Sequence, residues 1–396
     1  MVATDMPDGA PSDSQVTDER FDDQPRLVFW EMTKACPLAC VHCRAAAQSA
    51  PLPGELTTTE GMKLIDELAA GPAPHPILVL TGGDCLSRPD IVELAAYAKH
   101  RGVPVAIAPS VSARLADPLL AQLREQGVSH VSLSLDGATA KTHEEIRRVP
   151  GHFRATLDAI GRLREAGFRV QINTAVMKHN VRELADIAVL LHGAGVRVWE
   201  VFFLVNVGRG DKIDDIDPAE AEDVCHFLVD AARYGMVVRT VEAPFFRRVT
   251  RQRAALDHPG APTQLSQGEL HRHGELYREL ADKLVENLGG PRSRVLAPTI
   301  STRDGKGVIF VGYDGAVHPS GFLPLELGNV RDAGLLDIYK NDKLLGDIRA
   351  ARFTGRCGAC DYKDLCGGSR ARAYATTGDP LGDDPACIEV AGGSAA

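Results

Sequence analysis

The chain has 396 residues, 44% hydrophobic and 24% charged, ordinary values for a globular protein with room for one large α/β domain and a smaller appendage. Its formal net charge of −9 argues against wholesale nucleic-acid binding. No apolar run approaches a membrane span and no basic-then-apolar signal opens the chain, so a cytoplasmic location is expected, where nine cysteines point to metal or redox chemistry rather than disulfides.

Residues 1–24 are rich in Asp, Ser, Pro and Gly and read as a disordered tail. From residue 26 to about 207 the pattern alternates between strand and helix. Strands are expected at 27–32, 77–81, 104–108, 130–135, 169–176 and 196–205. The helices between and after them are expected at 57–68, 89–100, 116–126, 153–166 and 181–193. The first helix opens on a capping box, Thr57-x-x-Glu60, and the second has Pro89 in its first turn. Serial β/α units imply a parallel sheet with right-handed crossovers, doubly wound or curled into a barrel.

The loop after the first strand carries Cys36, Cys40 and Cys43, spaced C-x3-C-x2-C. Loops at the C-terminal ends of parallel strands are where α/β folds place their chemistry. Three thiolates can hold three irons of a cubane and leave the fourth iron open, since a [4Fe–4S] cluster normally takes four ligands. The competing reading is zinc, but zinc knuckles favour C-x2-C pairs with a nearby fourth ligand, and His42 is wedged between two of the cysteines.

Beyond the alternating region, residues 211–234 read as a helix and 236–241 as a candidate strand. Residues 243–295 are Arg- and His-rich and mainly helical. Arg247, Arg248, Arg251 and Arg253 there either grip carboxylates or form a solvated helix face. Residues 308–311 and 316–318, joined by Tyr313-Asp314-Gly315, read as a β-hairpin. Cys357-x2-Cys360-x5-Cys366-x20-Cys387 is a complete four-thiolate set for zinc or for [4Fe–4S], and spacing alone does not choose. Cys85 and Cys225 read as small buried residues. The expected organisation is a tail at 1–24, a core barrel at 25–210, a helical bridge at 211–305 and a cysteine-rich module at 306–396.

The Cys36–Cys40–Cys43 spacing resembles the signature of the radical S-adenosylmethionine (SAM) superfamily, whose open iron chelates SAM. The resemblance implies an α/β fold, a partial (β/α)6 barrel open on one side. Thr81-Gly82-Gly83-Asp84 resembles the superfamily's Gly-Gly-Glu segment, with Asp84 in place of Glu, and implies a contact to the SAM amino group. Ser134 and Asp136 in Ser134-Leu-Asp136-Gly137, with Asn173 and Arg147, are the further SAM contacts it implies. Residues 327–387, with Cys-Gly-Ala-Cys, Cys-Gly-Gly and Arg370-Ala-Arg-Ala, resemble the SPASM/twitch extension that binds auxiliary clusters. Ser320 stands where that extension has a cysteine, so one auxiliary cluster is expected, on Cys357, Cys360, Cys366 and Cys387. The implied cofactors are two [4Fe–4S] clusters and SAM, and the implied reductant is flavodoxin or ferredoxin. The subgroup that includes heme and heme d1 biosynthesis enzymes is nearest. Oxidative modification of a C–H bond in a tetrapyrrole side chain or a peptide is therefore expected, with no catalytic side chain assigned. A ribosomal-peptide maturase is the alternative enzyme. An iron–sulfur electron carrier or zinc-stabilised binding module is the alternative of another class.

Overall fold

The computed structural model describes residues 21–257, 273–291 and 302–392. Most of the expected tail, and two stretches of the expected bridge, lie outside the described residues. The elements run β1 (Leu27–Glu31), α1 (Thr58–Ala70), β2 (Ile77–Thr81), α2 (Ile91–Arg101), β3 (Val105–Ile107), α3 (Asp117–Glu125), β4 (His130–Ser134), α4 (Ala140–Arg147), α5 (His152–Glu165), β5 (Arg169–Val176), α6 (Leu184–Gly193), β6 (Val198–Phe203), α7 (Pro218–Ala232) and β7 (Val237–Val241). Within the stretch expected as a bridge there follow α8 (Phe246–Asp257) and α9 (Glu275–Leu288). Next come β8 (Arg303–Asp304), β9 (Gly307–Val311), β10 (Ala316–His318), β11 (Gly328–Asn329), α10 (Leu335–Asn341), α11 (Lys343–Arg349), α12 (Gly355–Ala359), α13 (Arg370–Thr377) and α14 (Ile388–Ala391).

One sheet organises the molecule, in the order β11-β10-β9-β1-β2-β3-β4-β5-β6-β7. Strands β1 to β7 pair in parallel throughout, and the path does not close on itself. The six-unit partial barrel is therefore present, and the candidate strand at 236–241 extends it as a seventh parallel strand. The hairpin of β9 and β10 forms as expected. Its first strand also pairs in parallel with β1, Leu27 opposite Val308 and Trp30 opposite Val311. An apolar strand with one open edge gains by covering it, so the C-terminal module is built onto the barrel's own sheet.

The alternation along the strands shows which face is which. In β6, Trp199, Val201 and Phe203 are buried, with Trp199 edge-on to Phe227 of α7. The intervening Glu200 and Phe202 are half-exposed, on the face away from the helices. Helix α1 begins as its sequence dictates: Thr57 Oγ1 accepts from Glu60 N at 3.2 Å, and Thr57 N donates to Glu60 at 2.7 Å. Glu60 also meets Arg331 at 2.6 Å, so the same residue ties the barrel to the C-terminal module.

Helix α4 was not expected. Only Thr142, His143 and Ile146 of its eight residues are buried, so its apolar periodicity is weak, and the Thr139 cap is what announces it. Among the described residues no helix is long and apolar enough to cross a membrane. All nine cysteines are free thiols.

Candidate functional site

The cysteine loop leaves the C-terminal end of β1 and continues its parallel pairing for two more residues. Gly83 N donates to Thr33 O at 2.8 Å, and Asp84 N donates to Ala35 O at 2.8 Å. A Cβ on Gly82 would lie 2.5 Å from the Thr33 carbonyl oxygen, and one on Gly83 would lie 2.5 Å from that of Ala35. Gly82 also has φ 141°, which side-chain-bearing residues rarely adopt. The paired glycines are thus required by the cysteine loop itself, whose backbone lies against them.

Three further ties fix the loop. Cys36 N donates to Gln48 O at 2.7 Å, which closes it, and Val41 N donates to Ile146 O at 3.0 Å. From beyond β6, Arg209 donates to Cys40 O and to Ala47 O, both at 2.9 Å. Sequence reasoning passed over Arg209, although its setting between Gly208 and Gly210 just past a parallel strand was the available signal.

Cys36 and Cys40 are buried with Leu38 and Ala47, and Cys43 packs against them. The sulfurs of Cys36 and Cys40 are turned to protein partners. Cys36 Sγ accepts from Leu38 N at 3.4 Å and lies 3.4 Å from Ser110 Oγ, while Arg147 donates to Cys40 Sγ at 3.6 Å. Burial pushes the Cys36 thiol up. Among the described residues no three His, Cys, Asp or Glu side chains already surround a common point as a metal would require.

The other expected contacts fall into two groups. Asp84 is fully buried and accepts from Leu86 N at 3.2 Å, Ser110 N at 3.3 Å and Ser112 Oγ at 3.0 Å. It braces the loops after β2 and β3, and burial lifts its carboxyl above the usual range despite those bonds. Ser134, Asn173 and Glu200 are cross-strand neighbours on the half-exposed face of β4, β5 and β6. Gln171 donates to both Asn173 and Glu200, at 2.8 and 2.9 Å, a pairing that sequence reasoning did not identify.

Asp136 is the centre of the second group. It is fully buried, 2.5 Å from Arg147 and 3.7 Å from His42, and it accepts from Ala175 N at 2.8 Å. Burial opposes its ionisation, but its neighbours, Arg147 foremost, outweigh that and hold the carboxyl below the usual range. His143 accepts from Asp136 N at 3.1 Å and passes contact to His152 at 2.8 Å, two buried histidines that the sequence did not single out. Burial pushes the His42 imidazole down to about 4 and His143 to about 3, so both are neutral near pH 7. Arg147 is aimed inward, whereas its neighbour Arg148 is exposed and caps α4.

The residues around the loop fit a cluster and a polar ligand. The loop supplies three soft donors, a set suited to iron–sulfur or zinc. Buried polar atoms beside it, His42 Nδ1, Arg147 Nε and Arg209 Nη2, have no hydrogen-bond partner, and buried polar groups are ordinarily paired.

Cys357, Cys360, Cys366 and Cys387 line one pocket together with Arg248, Gly367 and Gly368. Backbone donors already face sulfur there: Tyr362 N to Cys360 at 3.4 Å and Gly368 N to Cys366 at 3.4 Å. Gly367 and Gly368 have φ 71° and 64°, and a Cβ on the second would stand 3.2 Å from Cys357 Sγ. Burial pushes Cys366 up to about 11 and Cys387 to about 12, so as free thiols they stay protonated. A metal centre is what would turn them into thiolates. Cys225 and Cys85 are fully buried in the core, as expected. Ser320 lies elsewhere, accepting from Phe322 N at 3.2 Å.

The bridge arginines do not form a solvated face. Arg248 is 1% exposed and paired with Glu222 at 2.5 Å, Arg253 meets Asp230 at 2.6 Å, and Arg247 donates to the Leu365 and Thr302 carbonyls. Arg251 alone of the four is exposed.

A cleft of about 660 Å³ lies between the cysteine loop and the C-terminal hairpin. Lys34 and Arg44, the rings of Phe310, Tyr313 and Phe322, and His318 are among its lining residues. Arg44 crosses it, 2.9 Å from Glu31 and 3.1 Å from Gly321 O, with its guanidinium 4.7 Å from the Phe310 ring centroid.

Residues 30–217 match the profile of the "Radical SAM superfamily". The chain is 37% identical to the AdoMet-dependent heme synthase of Methanosarcina barkeri, over 92% of this chain and 96% of that protein. It is 31% identical to the Fe-coproporphyrin III synthase of the same organism, over 92% and 88%. In fold it is similar to SuiB of Streptococcus suis solved with S-adenosylmethionine, with a TM-score of 0.64 at 15% identity, covering 92% of this chain and 78% of that one.

Proposed function

The chain belongs to the radical SAM superfamily, and from that premise we propose that it oxidatively modifies a carboxylate-bearing side chain of a tetrapyrrole. The observation that carries the reading is the cleft beside the cysteine loop. It is large and flanked by aromatic rings, and among its acids Glu31, Asp211 and Asp314 it carries two cations, Arg44, held to Glu31, and Lys34, which has no carboxylate partner among the described residues and stands where a substrate carboxylate would need a cation. The names of its relatives, heme synthase and Fe-coproporphyrin III synthase, support the same class.

In this reading Cys36, Cys40 and Cys43 hold the SAM-binding [4Fe–4S] cluster. Gly82, Gly83, Asp84, Ser134, Asp136, Asn173 and Arg147 shape the SAM site. When bound, cluster and SAM supply a 5′-deoxyadenosyl radical by reductive cleavage, with flavodoxin or ferredoxin as the electron source. The chain's own part is position and exclusion of water. Arg209 and Gln48 hold the loop, the Asp136–Arg147 pair fixes β4 against it, and Arg44 closes the cleft toward the C-terminal hairpin. Cys357, Cys360, Cys366 and Cys387 hold the auxiliary [4Fe–4S] cluster, and the sulfur-facing backbone donors support that assignment. Membership in an enzyme superfamily leaves the non-enzymatic carrier or zinc module without support.

Anaerobic optical titration with an iron porphyrin bearing propionates tests the substrate class. A shift of the Soret band that weakens at least tenfold in Lys34→Glu is expected. No spectral change with any tetrapyrrole, together with SAM cleavage stimulated by a peptide, would move the chain to the peptide-maturing alternative.

A further inference from the structure

Besides the exposed Arg356, which also lines it, four guanidiniums converge on the four-cysteine pocket. Arg370 donates to Cys357 Sγ at 3.7 Å, and Arg303 donates to Cys366 O at 3.1 Å and Lys363 O at 3.1 Å. Arg247 donates to Leu365 O at 3.3 Å, and Arg248 lines the pocket itself. Arg370, Arg248 and Arg303 are 0%, 1% and 7% exposed. Among the described residues only Arg248 of the four has a carboxylate partner, Glu222. The others donate to carbonyls, which carry dipoles and no net charge, and the buried Nε of Arg303 has no partner.

Buried cations without counter-charge are costly. An anionic group in the pocket removes that cost. Four thiolates around an iron–sulfur centre are such a group, and each electron the centre gains makes it more negative. Arg248 differs from the other three: it is paired, and it alone of the four lines the pocket. Two hydrogen bonds to Glu222, at 2.5 and 2.9 Å, and one to Gln252 at 3.0 Å lock its fork, while its buried Nε has no partner. Arg248 lines the same pocket as Cys366 and Cys387.

Resting on the reading of these cysteines as an auxiliary cluster, we propose that the guanidinium shell sets the centre up as an electron acceptor, with Arg248 raising its reduction potential and Glu222 opposing it. One electron enters the iron of the centre on reduction, and no bond or proton at sulfur changes. Arg248 acts through the centre and is a positioning residue.

The test is an anaerobic titration with dithionite, followed by electron paramagnetic resonance. It uses the full chain with Cys36, Cys40 and Cys43 replaced by alanine, so that a single centre remains. Iron is counted first. Arg248→Gln is expected to shift the oxidised-to-reduced ratio at fixed potential at least tenfold toward oxidised, about 59 mV for one electron. Arg248→Lys keeps the charge and stays close to the parent. Glu222→Gln shifts the ratio the other way, because arginine stays charged without its partner. That variant keeps the test alive if Arg248→Gln fails to fold. Equal potentials in all variants, or shifts of one sign for Arg248→Gln and Glu222→Gln, overturn the proposal. A parent that holds no iron overturns the auxiliary-cluster reading beneath it, and the iron count tells the two failures apart.

Discussion

Arg147 stands 2.5 Å from Asp136 and 3.6 Å from the sulfur of Cys40, so one guanidinium joins the end of β4 to the cysteine loop. The carboxylate it meets is fully buried. Removing one member of a buried pair strands the other charge and costs about 3–5 kcal/mol. Arg147→Met is expected to lower unfolding free energy by about that much in a urea titration. A loss below about 1 kcal/mol would mean that the pair behaves like an exposed ion pair.

Gly83 has a different kind of importance. A methyl there would lie 2.5 Å from the Ala35 carbonyl oxygen, which belongs to the loop's backbone and has no freedom to rotate away. Gly83→Ala is expected to empty the N-terminal site while leaving the C-terminal one filled, so that iron falls from about eight to about four per chain. Undiminished iron in that variant would show that the loop tolerates displacement.

Acid stability gives a third prediction, through Glu222. Burial opposes its ionisation, but His226, 3.7 Å away, and the two hydrogen bonds from Arg248 outweigh this and hold its carboxyl down to about 2. The folded value lies below that of an unfolded glutamate, about 4.3. Its contribution to stability is therefore complete above about pH 4.5 and lost as pH falls through about 2. At 1.36 kcal/mol per unit this amounts to about 3 kcal/mol. Glu222→Gln is expected to flatten unfolding free energy against pH in that window. An unchanged slope between about pH 4.5 and 2 would remove Glu222 from the account of acid unfolding.

The strands of the barrel were legible because each is a short apolar run bounded by turn residues, and β2 and β5 begin and end where that pattern does. The cysteine spacings were legible because metal chemistry constrains residue type. Pairings between distant segments were not. Nothing local to residues 307–311 says that β9 will lie beside β1, since that contact is decided by which sheet edge remains open. The bridge arginines look alike in sequence, and only the packing of α8 against α7 turns Arg248 inward toward Glu222 and the cysteines. Helix α4 was missed for the same reason, because it packs on only three buried side chains. The Gly-Gly pair was visible, but the backbone it makes room for could not be read from the pair alone.

Iron content with electron paramagnetic resonance, measured anaerobically on the wild type and on Cys36/Cys40/Cys43→Ala with and without SAM, tests the central claim most directly. The account predicts about eight irons per chain falling to about four, and a SAM-induced change of signal in the wild type alone. About four irons in both proteins with zinc beside them, or a wild-type signal indifferent to SAM, would contradict it.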